Sequence, residues 1–226
     1  MKLTKHMVEI NGMKYFRGNA HLVNLGTVGK KYDPIGAKAY LDPERNINRD
    51  KIEAYIKDQN YAVDINFSKY TQGDLEVNGK VKVYGVKLSG SSSYSYSKLK
   101  TAKLSLLNFH LNEAQLKRLI NNNSSVFNFL KNEGNDARIV SEIWIVVEAE
   151  IAEAVDLSRT INVGAKFNKN NKLDVQFNLK SGKNHTISIS TGSVFAYKMH
   201  KVKDYDKRRK KATKVTDLTV DYKGML

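Results

Sequence analysis

From Asp74 onward, apolar and polar residues alternate with a period of two over long runs, the pattern of β-strands with one buried face. In "LEVNGKVKVYGVKLSG", Val81 and Val83 face one way and Lys80 and Lys82 the other. The phase slips at Gly85 and resumes at Val86 and Leu88, which predicts a bulge. "SGSSSYSYSK" is a polar tip leading into a second strand that carries Tyr94 and Tyr96 and runs on to "AKLSLLNF". These strands are about ten residues long, against the usual five or six. A second β region holds "ARIVSEIWIVVEAEIAEAV", "TINVGAKFN", "KLDVQFNLK", "HTISIS" and "GSVFAYKMHKV", with polar turns at "NKNNK" and "KSGKN". Ala and Glu favour helix in "VVEAEIAEAVD", but Ile143, Ile145 and Val147 alternate straight into it, so an extended strand is expected there.

Between the two β regions the period changes to that of a helix. "NEAQLKRLI" places Leu116, Leu119 and Ile120 on one face behind an Asn112 N-cap, and "SSVFNFLKNEG" begins at capping serines and stops at Gly134. A short helix is expected at Arg49 to Asp58, where Ile52, Tyr55 and Ile56 share a face. Residues 1–48 read as short strands broken at Gly12, Gly18, Gly26 and Gly29. "LGTVGKKYDP" echoes phosphate-binding loops, with Lys30 and Lys31 beside its glycines. It is too short for a P-loop, and Asp33-Pro34 prevents the helix that such loops need, so a plain β-turn is expected. The whole predicts an α+β fold: a twisted antiparallel sheet with long hairpins and a few short helices. Only the basic run "DKRRKKATK" is expected to be unstructured.

Composition narrows the function. There is no Cys, so disulfides, thiolate metal ligands and thiol nucleophiles are excluded, and a cytoplasmic setting fits. His6, His21, His110, His185 and His200 are scattered without metal-ligand spacing, and no metal or cofactor is expected. No Ser occupies a GxSxG elbow. Glu148, Glu150 and Glu153 read as a solvated strand face, not as acid/base catalysts. An enzyme is the least supported class. The start "MKLTKHMVEI" lacks a secretory apolar core, and no apolar run is long enough for a spanning helix. The net charge of +15 attracts polyanions, either nucleic acid or an anionic membrane face.

Taken together, these stretches resemble the pore-forming domain of the gasdermin family. The best local likeness is "HTISISTGSVFAYKMHKV", His185 to Val202. "GKVKVYGVKLSGSSSYSYSKLKTAKLSL" is similar to the family's earlier hairpin, and "LINNNSSVFNFLKNEGNDARIVSEIWIVVEAE" to the helix and long strand that open its second. The likeness covers roughly residues 73–202. The resemblance implies a pore former whose hairpins enter a bilayer. The first hairpin would present Val81, Val83, Leu88, Tyr94, Tyr96 and Leu104, and the second Ile143, Ile145, Val147, Val163, Val175 and Phe177. Physics asks the same of a β-pore: backbone groups are satisfied only in a closed barrel, with strands of ~9–11 residues alternating between lipid and lumen. Alternating strands also build any half-buried antiparallel sheet.

The resemblance extends to bacterial members that end in a short inhibitory peptide removed by a protease. By that likeness, residues 1–206 are the pore-forming domain, 207–214 a protease-sensitive linker and 215–226 an inhibitory peptide. Lys207, Arg208, Arg209, Lys210, Lys211 and Lys214 would offer the cut, and Val215, Leu218, Val220, Tyr222 and Leu226 would cap an apolar face. The implied partners are an activating protease, anionic membrane lipid and further copies of the chain in a large homo-oligomer, from a monomer when inactive. The implied setting is the cytoplasm before activation and the inner (cell) membrane after it, in antiphage defence. Bacterial relatives are often lipidated on a Cys near the N-terminus, and this chain has none, so capture would rest on charge. Two other classes compete: a basic β-rich nucleic-acid-binding protein using "KRRKK" as a contact arm, with nucleic acid the less expected partner, and a structural tube subunit.

Overall fold

The computed structural model describes residues 1–4, 6–33, 39–56, 62–72, 76–77, 80–81, 104–148, 164–167, 173–178, 184–189, 194–208 and 211–225. The chain begins with β1 (Lys2–Leu3), β2 (Met7–Ile10) and β3 (Met13–Phe16), followed by β4 (Thr27–Tyr32) and β5 (Tyr40–Asn46). After α1 (Arg49–Ile56) come β6 (Ala62–Ile65), β7 (Glu76–Val77), β8 (Lys80–Val81) and β9 (Leu104–His110). The helices α2 (Glu113–Asn121) and α3 (Ser124–Glu133) lead into β10 (Ala137–Glu148). The last strands are β11 (Gly164–Phe167), β12 (Leu173–Asn178), β13 (Asn184–Ile189), β14 (Val194–Arg208) and β15 (Lys211–Val220).

Among the described residues, ten strands form one sheet, whose main path runs β1-β2-β3-β14-β10-β4-β5, with β15 on β14 and β9 bridging β10 and β6. All of the recorded pairings in it are antiparallel. This is the α+β architecture of long hairpins and few helices that the alternation predicts. β10 and β14 are its spine because they are long and buried on both faces: Ser141 to Val146 and Val194 to Met199 are all buried. Tyr197 locks the spine to the outer strands. Its hydroxyl donates to the Gly18 carbonyl at 2.8 Å and accepts from the Leu41 N–H at 2.8 Å. A second lock is the buried Glu142 carboxylate, which accepts from Tyr15 Oη (2.7 Å) and Asn108 Nδ2 (2.8 Å) and pairs with Lys198.

The helix pair forms as its sequence dictates. Asn112 caps α2 in a reciprocal box with Gln115, each side chain bonding the other residue's N–H. The cap of α3 is Asn123, which accepts from the Val126 N–H, one residue before the serines expected to do so. Gly134 ends α3 at φ 53°, a positive φ that glycine adopts without strain. Leu116, Leu119, Ile120, Val126, Phe129 and Leu130 turn inward to the core.

Two further expectations need correcting. "LGTVGKKYDP" is a turn only at its start, Leu25–Gly26, where the Thr27 N–H donates to the Asn24 carbonyl at 3.1 Å; Thr27–Tyr32 is strand β4, paired with both β5 and β10. Gly29 is needed there because a Cβ would lie 1.9 Å from the Asp42 carbonyl oxygen, beside the bulge between Val28 and Gly29. Pro43 lies inside β5, at the end of the main strand path and opposite Gly29 beside the bulge, positions where a sheet tolerates proline. The basic run is also ordered over most of its length. Lys207 and Arg208 end β14, and Lys211 and Lys214 begin β15, because β14 and β15 continue to pair out to Arg208↔Lys211. The slip expected at Gly85 lies outside the described residues, as do Glu150 and Glu153. Among the described residues, no helix is long and apolar enough to cross a membrane.

Candidate functional site

The C-terminal strand and the residues just past it are docked by four kinds of contact, from β14, the core, α2, and an ion cluster with β4 and β10. The first is its ladder to β14, from His200↔Val220 to Arg208↔Lys211, with three register irregularities on the way. The second is apolar. Val215 and Leu218, 2% and 5% exposed, join the main core, and Met225 does so beyond the strand's end. Burying each such side chain is worth about 1.5–3 kcal/mol.

The third contact closes the outer edge of β15. A strand edge leaves N–H and C=O groups without partners. Here the Asn121 amide supplies them: Val215 N–H donates to Asn121 Oδ1 at 2.7 Å, and Asn121 Nδ2 donates to the Val215 carbonyl at 3.0 Å. Lys117 Nζ donates to the Thr216 carbonyl at 3.2 Å. Asn121 and Lys117 are four residues apart on α2, so one helical face grips one strand edge. At the surface, Lys203 and Asp217 form a 2.8 Å ion pair.

The fourth contact is a buried ion cluster just past the strand. The Asp221 backbone N–H donates to the Met199 carbonyl (3.0 Å), which turns its side chain into the body. Its Oδ2 accepts from Arg138 Nε at 2.6 Å and from Lys31 Nζ at 3.0 Å, and its Oδ1 accepts from the Lys223 N–H at 2.9 Å. The side chains of Lys31, Arg138 and Asp221 are 3%, 9% and 8% exposed. Burial alone would raise the Asp221 carboxyl. The hydrogen bonds from Arg138, Lys223 and Lys31 reverse that and hold it below the ordinary carboxylate range. Lys31 Nζ also donates to the Lys223 carbonyl (2.6 Å), and Gly224, at φ +79°, lies so close to Ala39 that a Cβ would approach Ala39 Cβ to 2.5 Å.

Of the residues expected to cap an apolar face, Val215 and Leu218 are buried, Val220 is half-buried and Tyr222 is exposed, while Leu226 lies outside the described residues. Of the basic residues, Lys207, Lys211 and Lys214 are exposed, and Arg209 and Lys210 lie outside the described residues. In the expected hairpins, Val81 lies on β8, and Val83, Leu88, Tyr94 and Tyr96 fall outside. Leu104 opens β9, Ile143 and Ile145 are buried in β10, and Val147 pairs with Ser105. Val163 lies outside, while Val175 and Phe177 sit on β12 opposite Ile187 and His185. Sequence reasoning missed Asp221, Arg138, Asn121 and Met225, and singled out Lys31 only as part of a phosphate-loop echo. Arg138 lies 83 residues and Lys31 190 residues from Asp221 in the chain, so no local pattern marks the cluster. Among the described residues, no cluster of His, Asp and Glu could hold a metal ion.

No curated protein and no solved structure matches the chain. A family model does: the gasdermin pore forming domain aligns with residues 57–209. That span is more than half of the 226 residues and stops inside the basic run, short of Asn121's grip on Val215 and of the Asp221 cluster. With the antiparallel sheet and its long hairpins in place, this match shows that the chain belongs to the gasdermin family, whose members form pores.

Proposed function

We propose that the chain is an autoinhibited pore former whose last residues, 215–226, hold it inactive until a protease cuts within 207–214. The observation that carries the reading is that the family match ends at residue 209, while β15 and the residues beyond it are docked on that domain by buried apolar and ionic contacts. On this reading the cut chain loses β15, exposes the α2 face and the free edge of β14, and assembles with other copies into a large homo-oligomer. Hairpins from residues 76–110 and 137–189 then enter an anionic inner (cell) membrane from the cytoplasmic side. The net charge of +15 draws the protein to that surface. The outcome is lysis or cell death, in a bacterial antiphage role.

The basic residues nearest the tip of the β14–β15 hairpin suit this role. Lys207 and Lys211 are exposed and lie beyond the last apolar contacts of β14, so a trypsin-like protease meets them before any core residue. The test is dye release from anionic liposomes by full-length chain, before and after limited trypsin treatment. Leakage only after cleavage is expected. A cleaved chain that leaves liposomes intact would sink the proposal, and salt-dependent binding of the same chain to nucleic acid would replace it.

A further inference from the structure

We propose that Arg138 and Lys31 form a receptor for one oxyanion, a phosphate monoester, which Asp221 occupies in the resting protein. The inference rests on the tail-release reading for when the receptor opens, but not for what it binds. Its first support is convergence. Arg138 Nε and Lys31 Nζ arrive from different strands, β10 and β4, at a single carboxylate oxygen, 2.6 and 3.0 Å away. Two charge-assisted donors on one buried oxygen are the arrangement that binds carboxylates and phosphates tightly.

The second support is preorganisation. Arg138 Nη1 donates to the carbonyls of Asn135 and Ala137, groups of its own neighbourhood and not of the tail. The guanidinium therefore keeps its orientation when Asp221 leaves. Lys31 lies over the Phe16 ring, its Nζ 5.8 Å from the centroid, and that contact too belongs to the body. The third support is charge balance. Removing the tail removes Asp221 and Lys223, and among the described residues the carboxylate that remains in an ion pair with these cations is Asp33, exposed and 3.8 Å from Lys31 Nζ. With Asp221 gone, two cations held close together face one carboxylate, and an oxyanion entering between them would restore the charge-assisted bonds that Asp221 made.

The phosphate can come from a lipid headgroup with a terminal phosphomonoester or from a soluble phosphate. The experiment uses the full chain with Asp221→Ala, which vacates the site while the rest of the tail stays attached. Thermal unfolding is followed in inorganic phosphate and in chloride of matched ionic strength. Phosphate at tenfold its Kd is expected to raise the Tm of D221A by about 4 °C. Wild type, in which Asp221 fills the site, and D221A carrying Arg138→Gln are expected to respond alike to both salts. D221A is also refolded from denaturant in each salt, so a variant too unstable to purify still reads out as a refolded fraction.

Flotation with phosphatidylcholine vesicles, with and without phosphatidic acid, separates the sources. Retention on phosphatidic acid that Arg138→Gln abolishes assigns the site to lipid, and phosphate rescue without retention assigns it to a soluble phosphate. Equal Tm shifts in phosphate and chloride would overturn the inference. None of these readouts requires a pore. Phosphate rescue in a chain that never leaks removes only the release reading, and leakage without rescue removes only the receptor.

Discussion

Asp221→Asn is the substitution that most directly tests how the tail is held. It keeps the shape of the side chain and the Met199 backbone bond but removes the charge between Arg138 and Lys31. Those cations are 9% and 3% exposed, so water cannot take the place of the carboxylate without opening the site. Breaking a buried ion pair from one side costs about 3–5 kcal/mol. Nearly all of this falls on the docked state, because in the undocked state both cations are reached by solvent. The undocked fraction therefore rises by roughly 10²- to 4 × 10³-fold, at 1.4 kcal/mol per tenfold. Hydrogen exchange reads this directly: the amides of Leu218 and Thr219 lose protection while those of β10 keep theirs. Uncut D221N should also leak liposomes faster than uncut wild type. Asp217→Asn is the internal control, since its partner Lys203 is exposed and solvent replaces it. If D221N protects β15 as wild type does, or if D217N loosens it equally, the buried cluster is not what holds the tail.

Leu218→Ser removes a buried side chain from the core and should lower stability by about 2–5 kcal/mol, with raised leakage before any cut. Asn121→Ala strips both partners from the Val215 backbone and should weaken docking of β15 by about 1–3 kcal/mol, read as faster exchange at Val215 with α2 helicity unchanged. Replacing Lys207, Arg208, Arg209, Lys210, Lys211 and Lys214 together with Gln should abolish trypsin activation within 207–214 while leaving Tm unchanged, since Lys207, Lys211 and Lys214 are exposed and lie outside the core. If this combined change and Leu218→Ser behave alike, cut site and plug are not separate. The pH profile has two steps. His200, pushed down to about 4 by burial and by Lys198, takes up its proton near 6.5 when unfolded, so stability should fall as pH drops from 6.5 toward 4, and His200→Gln should flatten that slope. Asp221 is depressed in the folded chain, so its contribution is complete above 3.8 and is lost only on further acidification. Tail release measured by exchange should therefore be absent at pH 5 and appear only as the pH falls below 3.8.

Local periodicity alone determined the strands, the helix pair and the order in which they come. Asn112, Gly134 and the alternation through Ile143 to Ile145 act within a few residues of themselves, so their outcome is written in the sequence around them. The basic run was misread for the converse reason. Consecutive lysines and arginines signal a solvated segment, but their order here comes from β14 and β15 pairing across the tip, and that in turn from Val215 and Leu218 reaching a core built by α2. The break expected at Gly29 failed likewise, because what that glycine accommodates is a carbonyl on β5. The Asp221 cluster belongs to tertiary structure altogether. Three charged residues from β4, β10 and the chain's end neutralise one another only after the sheet has brought them together, and burial then makes the pairing decisive.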